Sequence, residues 1–486
     1  MSRSGQDYIG DLRDDRCVFL DGTRVASVPD HPSLRSAVRT VSSLYDFQAR
    51  PENAARMTYE TPTGKRVSRS WQLPTSHREL VERREALVAL AELHHGFMGR
   101  SPDHVASTLA AMSMGTAIYD AHPGGRSGHV QAVYEYARDR DLYVSYVIID
   151  PQGDRSKATG EAGNADLAVS IVDEDAEGIT VRGTKMLGTG AVLSDEVLVT
   201  TLRPKDDDRY AFTAVVPIGI KGLKLLSRRS YEGAVTSAFD YPLSSRFDEN
   251  DALLHFDDVK IPWARTLVVR DTACQLAQWH ETPAHSYQNY QSEIRLLVKL
   301  RFLVGLAHKV TETIGTINYP PVREALGELS SYVSTIEAFV LGMEVKGYQY
   351  GPYYLPDKEL LYASQVQSQM IYPKVIHTLR DLSGGGVMML PSSVADLENP
   401  EIAAYIGKTQ YSSVMSSTDR IRLFKLVWDA VGSEFASRHL QYEMFYAGAG
   451  FVTKAHSFRT YDWEDSTALV DRLLDGYNLT EEINGR

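Results

Sequence analysis

The chain has 486 residues, enough for two or three domains. Its 43% apolar and 23% charged residues are those of a globular protein, and a formal charge of −12 with no Lys/Arg block argues against a nucleic-acid partner. Residues 1–16 hold no apolar core region and no apolar run approaches membrane-spanning length. Two distant cysteines, Cys17 and Cys274, cannot build a Cys-rich metal site or hold an iron–sulfur cluster, so a reduced, cytoplasmic protein without metal, membrane or nucleic acid is expected.

In chain order, Arg16 to Leu20 followed by Asp21-Gly22 predicts a short strand and turn, and Leu34 to Tyr45 carries apolar residues at helical spacing. Pro, Gly and Thr clusters over 51–78 predict loop with short strands. From Ser76, a suitable N-cap, a long amphipathic helix is expected through His94, with the helical run reaching Met98. The corner Gly99-Arg100-Ser101-Pro102-Asp103-His104 follows. Gly ends one helix cheaply, Pro sits well in the first turn of the next, and Ser101 is placed to cap it. The second helix runs Val105 to Tyr119, and a third begins at Val130 to Ala137.

At Leu142 the period changes. Tyr143 to Ile149, Leu167 to Val172, Gly178 to Met186, Glu196 to Leu202, Tyr210 to Val216, Leu253 to Phe256 and Val259 to Pro262 read as strands joined by Asp/Gly turns. It then changes back. Tyr287 to Ile317, Pro320 to Tyr348, Leu360 to Leu382 and Thr418 to Tyr446 are long helical runs with short connections, the pattern of a bundle. The expected plan is an α+β chain. Residues 1–142 form a mainly helical domain, 143–276 an antiparallel, barrel-like β domain, and 277–486 a C-terminal four-helix bundle.

Four stretches offer chemistry, and each also reads as ordinary structure. The 99–104 corner presents a guanidinium, Arg100, and an imidazole, His104, at a helix start, suited to an anionic substrate or an oxygen intermediate; a surface turn is the plain alternative. Gln152-Gly153-Asp154-Arg155-Ser156-Lys157 follows a strand and can donate several hydrogen bonds to a flavin or phosphate, or be a polar turn. Leu187-Gly188-Thr189-Gly190-Ala191 also follows a strand. Its small residues permit close approach of a flat ring and Thr189 offers a hydroxyl, or it is a tight hairpin. Ser383 to Gly386 suits a phosphate or a bare hinge. The run Arg420 to Tyr446, with Arg422, Lys425, Trp428, Arg438, Gln441 and Tyr446, reads as a buried amphipathic helix with a solvated face. GxGxxG after a strand, GxxxxGK[ST], HExxH and GxSxG are all missing, which disfavours Rossmann, P-loop, zinc-hydrolase and α/β-hydrolase chemistry.

Several segments occur together in one order: Ser4-Gly5-Gln6-Asp7-Tyr8, Phe19-Leu20-Asp21-Gly22, Gly99 to Asp103, Asp150 to Ser156, Gly183-Thr184-Lys185-Met186-Leu187 and Met388 to Ser392. Arg422 to Leu426 with Trp428-Asp429, Ser437-Arg438 and Tyr442-Glu443 complete the set. Together they resemble the large, oxygenase component of the two-component FAD-dependent 4-hydroxyphenylacetate 3-monooxygenases, through almost the whole chain. The resemblance implies an acyl-CoA-dehydrogenase-like fold, a homotetramer, and FADH2 supplied by a separate NAD(P)H:flavin reductase. It further implies ortho-hydroxylation of a phenol, a 4-hydroxyphenyl compound or related aromatic, by O2 through a C4a-hydroperoxyflavin.

By the same resemblance, an Arg, a Tyr and a His surround substrate and flavin. The Arg is Arg100, the Tyr position holds His104, and the His position holds Tyr146, an exchange that puts the family's own substrate in doubt. His104 is the expected base, Arg100 the charge stabiliser and Tyr146 a hydrogen-bonding partner. Gln152, Gly153, Asp154, Arg155, Leu187, Thr189, Tyr446, Ala447 and Gly448 are the expected FAD contacts. In related chlorophenol oxygenases a further His near the first bundle helix is the base, for which His285 and Asn289-Tyr290-Gln291 are the nearby candidates. The rival reading keeps fold and flavin for acyl-CoA-dehydrogenase-like oxidation, which needs a carboxylate base. The related 4-hydroxybutyryl-CoA dehydratases are set aside, since Arg100 and His104 stand where they need cysteines.

Overall fold

The computed structural model describes residues 3–154, 156, 167–202 and 207–477. The early chain is mainly helical, most strands follow, and helices close the chain, but the early strands Cys17–Leu20 and Thr23–Arg24 join the larger sheet. The first long helix, His77–Leu93, starts where Ser76 Oγ accepts from the Glu79 N–H at 3.3 Å. It ends at Leu93, short of Met98, because His95 and Gly96 turn left-handed at φ 51° and 72°. The next helix, Pro102–Met114, is buried almost along its length. Ser101 stands at its N-cap, but its hydroxyl donates to Asp103 Oδ1 at 2.5 Å and caps no backbone N–H.

The larger sheet has six strands in the order Thr23–Arg24, Cys17–Leu20, Leu223–Ser227, Asp251–Pro262, Gly178–Thr189 and Ser170–Glu174. The smaller has four: Thr266–Val269, Phe212–Pro217, Glu196–Val199 and Val144–Val147. Pairing is antiparallel except at Cys17–Leu20 with Leu223–Ser227 and at Val144–Val147 with Glu196–Val199, which are parallel. The two strands expected at 253–256 and 259–262 are one, Asp251–Pro262. It is interrupted by an irregularity where Asp258 takes φ 50°, which made the sequence read as two.

The C-terminal region is built on Ala284–Thr313, Pro320–Val345 and Lys358–Ser383. The run expected from Thr418 to Tyr446 is two helices, Ser417–Val431 and Glu434–Phe445. Gly432 ends the first, and Ser433 caps the second by accepting from the Ala436 N–H at 3.1 Å. No helix among the described residues is long and apolar enough to cross a membrane.

Candidate active site

The 99–104 corner is an interior junction, not a surface turn. Arg100 and His104 are buried, with His104 at 0% exposure. The Arg100 backbone is pinned on both sides: its N–H donates to Glu249 Oε2 at 2.9 Å and its carbonyl accepts from the Tyr143 hydroxyl at 2.6 Å. Its guanidinium carbon lies 3.9 Å from the centre of the Tyr446 ring and 5.2 Å from that of Tyr146. Nη2 donates to the Tyr446 carbonyl at 3.3 Å, while Nη1 is buried and has no partner among the described residues.

His104 lies nearly parallel to Tyr146, ring centres 5.5 Å apart at 24°, and meets Tyr446 edge-on. Both its nitrogens are engaged. Gln288 Nε2 lies 2.7 Å from Nε2, and Nδ1 lies 2.9 Å from Gln291 Oε1. Gln291 in turn donates to Asp103 Oδ2 at 2.8 Å, and Thr108 donates to Gln288 Oε1 at 3.0 Å. An amide donating to Nε2 leaves the imidazole proton on Nδ1, facing Gln291. Burial, then the charge of Arg100, holds the imidazole pKa well below its ordinary value, so His104 is neutral. In this resting arrangement both ring nitrogens are occupied, and the ring packs between Tyr146 and Tyr446. Tyr146, on the Val144–Val147 strand, has no partner for its own hydroxyl among the described residues.

A charged cluster lies beneath Tyr446. Arg295 stacks on that ring at 4.6 Å, opposite in role to Arg100, and pairs with Glu443, with Nη2 to Oε2 at 2.9 Å. Lys299 Nζ reaches the same carboxylate at 2.9 Å. All three side chains are at most 2% exposed. Burial pushes the Glu443 carboxyl up, but Arg295 and Lys299 overcome it and bring it down to about 2. Burial lowers Lys299 to about 8 against the pull of Glu443. A second network ties Thr189 in. Its hydroxyl donates to Asp251 Oδ1 at 2.6 Å, Arg438 and Arg228 hold Asp251, and Arg438 also pairs with Glu249 at 2.9 Å. Thus Thr189 and the Arg100 corner share one chain of charges.

The expected cofactor contacts lie beside these networks. Leu187 takes a left-handed φ of 60°, costly for a residue with a Cβ, and is 58% exposed. Ile149, bridged to Met186, is 38% exposed, and Gln152, Gly153 and Asp154 are exposed in the following loop. Arg155 lies outside the described residues. Ala447 and Gly448 follow Tyr446 in a turn, with Gly448 at φ 103°. Uncovered apolar side chains beside polar groups, with the unpartnered Arg100 Nη1, fit a flat ring that is apolar on its faces and polar at its edges. The residues present therefore fit a flavin.

Of the further base candidates, Gln291 touches His104, while His285 and Tyr290 are placed apart. His285 Nδ1 lies 2.9 Å from the Tyr362 hydroxyl in a separate cavity, and the Tyr290 hydroxyl donates to Glu344. Reading the sequence for candidates missed Gln288, Arg295, Lys299, Asp251 and Glu249. One signal pointed to the first three: the start of the Ala284–Thr313 helix carries polar residues on every face and no apolar stripe.

Comparison with known proteins adds the lineage. Residues 4–268 match the model described as 4-hydroxyphenylacetate 3-hydroxylase N terminal, and residues 276–475 the corresponding C-terminal model. The chain is 34% identical over 494 residues to the pyoverdin chromophore biosynthetic protein PvcC of Pseudomonas aeruginosa, covering 99% of this chain and 97% of that one. It is 33% identical over 491 residues to a 4-hydroxyphenylacetate 3-monooxygenase oxygenase component of Escherichia coli, covering 98% and 93%. A crystal structure of such an oxygenase component complexed with FAD and 4-hydroxyphenylacetate superposes with a TM-score of 0.92 at 28% identity, covering 98% of each chain.

Proposed function

The chain belongs to the 4-hydroxyphenylacetate 3-hydroxylase family, and from that premise we propose that it is the FAD-dependent oxygenase component of a two-component aromatic monooxygenase. Bound as FADH2 and delivered by a separate NAD(P)H:flavin reductase, the cofactor activates O2 and supplies one oxygen atom to a phenol ring. The chain's own residues hold and orient the reactants. Leu187, Thr189 and the Gln152 loop form one wall for the flavin, and Tyr446, Ala447 and Gly448 the other. The observation that carries the reading is Arg100, a buried guanidinium with a free Nη1 beside Tyr146, whose hydroxyl is also free. Those two donors hold a phenolate oxygen between them, and the positive charge favours the ionised phenol, whose ring carbon is the better nucleophile. Burial of His104 and its amide partners keeps water from this wall.

The substrate is a 4-hydroxyphenyl compound or a related aromatic. The exposed apolar face of the Trp463–Leu474 helix, with Leu469, Val470 and Leu473, and nearby Phe451 and Phe458, supports assembly into a homotetramer. The protein works in the cytoplasm, where NAD(P)H is available to the reductase. Purified protein mixed with FAD, a flavin reductase, NADH and a panel of phenols is expected to yield a product one oxygen atom heavier. Arg100→Lys, which loses the planar fork, is expected to cut that rate ~10²-fold. No oxygenated product from any phenol, on protein shown to bind FAD, would sink the proposal.

A further inference from the structure

A cavity of about 460 Å³ lies at the start of the Ala284–Thr313 helix. Two long helices begin at its wall. His285 and Ser286 belong to the first turn of one, which has no side-chain cap, and Lys358 is the first residue of Lys358–Ser383. Aligned peptide dipoles place partial positive charge at the start of Ala284–Thr313, whereas the Asp357 carboxylate caps the start of Lys358–Ser383 by accepting from the Leu360 N–H at 2.8 Å. Lys358 and Arg459 add full charges, and no Asp or Glu lines the cavity. Neither cation has a carboxylate within ion-pair distance among the described residues.

The remaining wall is also rich in donors. Trp279 is 2% exposed and its indole N–H has no partner among the described residues. His456 Nδ1 accepts from Arg459 at 2.8 Å, which leaves the imidazole proton on Nε2. His285 stacks on His456 with ring centres 4.8 Å apart. Burial, then neighbouring cationic groups, lowers His285 to about 3 and His456 to about 4, so at neutral pH the formal charge comes from Lys358 and Arg459. No group of His, Cys, Asp and Glu among the described residues is arranged to hold a metal ion.

We propose that this cavity is an anion subsite that takes a carboxylate or phosphate group. A surplus of donors decides the ligand's sign: two cations, the uncapped start of Ala284–Thr313 and a buried indole N–H border the space, and no carboxylate lines it. The cavity is separate from the Arg100 corner and shares none of its residues, so the ligand assigned to it is a free phosphate or carboxylate, and an acidic phenol is a second outcome of the titration.

Binding tests the subsite without turnover. The full chain with oxidised FAD bound is titrated calorimetrically with inorganic phosphate, with 4-hydroxyphenylacetate and with phenol. The double variant Lys358→Gln/Arg459→Gln is titrated in parallel, after its FAD affinity and thermal melt are shown unchanged. Phosphate is expected to bind the wild type saturably and the variant about tenfold more weakly or worse. If 4-hydroxyphenylacetate weakens by a similar factor while phenol does not, the anion is the substrate's own acid. If phosphate alone weakens, the subsite serves a free anion. Equal binding of phosphate to both proteins, or no saturable binding to the wild type, overturns the proposal. Failure of the hydroxylase reading shows separately, as bound FAD with no oxygenated product.

Discussion

The Ala284–Thr313 helix is two helices in physical character. From 284 to 300 every residue is buried, and many are polar: His285, Gln288, Asn289, Gln291, Glu293, Arg295, Lys299. From 301 onward burial returns to one face, with Leu303, Leu306, Ala307 and Val310 inward and Arg301 paired at the surface with Glu337. The second half is an ordinary bundle helix, held by its apolar stripe. The first half cannot be explained by hydrophobic burial. Each of its polar groups needs a partner, and those partners are the Arg100 corner and the Glu443 cluster.

This contrast can be broken most sharply at Glu443. Glu443→Gln leaves Arg295 and Lys299 buried without a counter-charge and is expected to cost ~3–5 kcal/mol in denaturant unfolding. The same pair fixes the sign of an acid dependence. Because the folded carboxyl titrates near 2 and the unfolded one near 4.5, the stabilisation is complete above about 4.5 and is lost as pH falls toward 2. The Glu443→Gln variant should therefore show a flatter acid-unfolding slope in that window, and an unchanged slope would place the stability elsewhere.

Gln291→Leu comes next. It strips the partner from His104 Nδ1–H and from Asp103, for an expected loss of ~1–3 kcal/mol in the thermal melt. Tyr146→Phe removes a hydroxyl that bonds nothing among the described residues. Stability should hold within ~0.5 kcal/mol, while kcat/KM for the phenol drops roughly tenfold. An equal fall in stability would show that the hydroxyl has a structural partner. On the second half of the helix, Glu337→Gln breaks the exposed pair with Arg301 and should shift unfolding by no more than ~0.5 kcal/mol. A loss there comparable to that at Glu443 would erase the distinction between the halves.

The same contrast explains what could be read beforehand. Strands and helices with clean periods were legible, down to the caps at Ser76 and the apolar face of the second half of Ala284–Thr313. Family motifs brought out Arg100, His104 and Tyr146, and the structure does bring these three together. What was illegible was the sign of burial for polar residues on helices. Arg438 read as part of a solvated face, yet it is packed onto Asp251, Glu249 and the Tyr442 ring. Polar spacing alone does not distinguish water from a carboxylate contributed from a distant strand. The amide partners of His104 were illegible for a related reason. The sequence shows an imidazole near a cation, but the glutamines that occupy both nitrogens lie far along the chain.

The pairing of Cys17–Leu20 with Leu223–Ser227 sets the order in which this protein can be made. During synthesis the early strand emerges long before its neighbour exists, so its edge stays open until residue 227 has cleared the ribosome. Arg3, which reaches Asp195 at 2.7 Å, and Tyr8, whose hydroxyl donates to the Leu193 carbonyl at 2.7 Å, likewise wait on partners made nearly two hundred residues later. The first helix and strand are thus late to lock despite being first to appear, and a nascent chain is exposed to wrong strand partners throughout that interval.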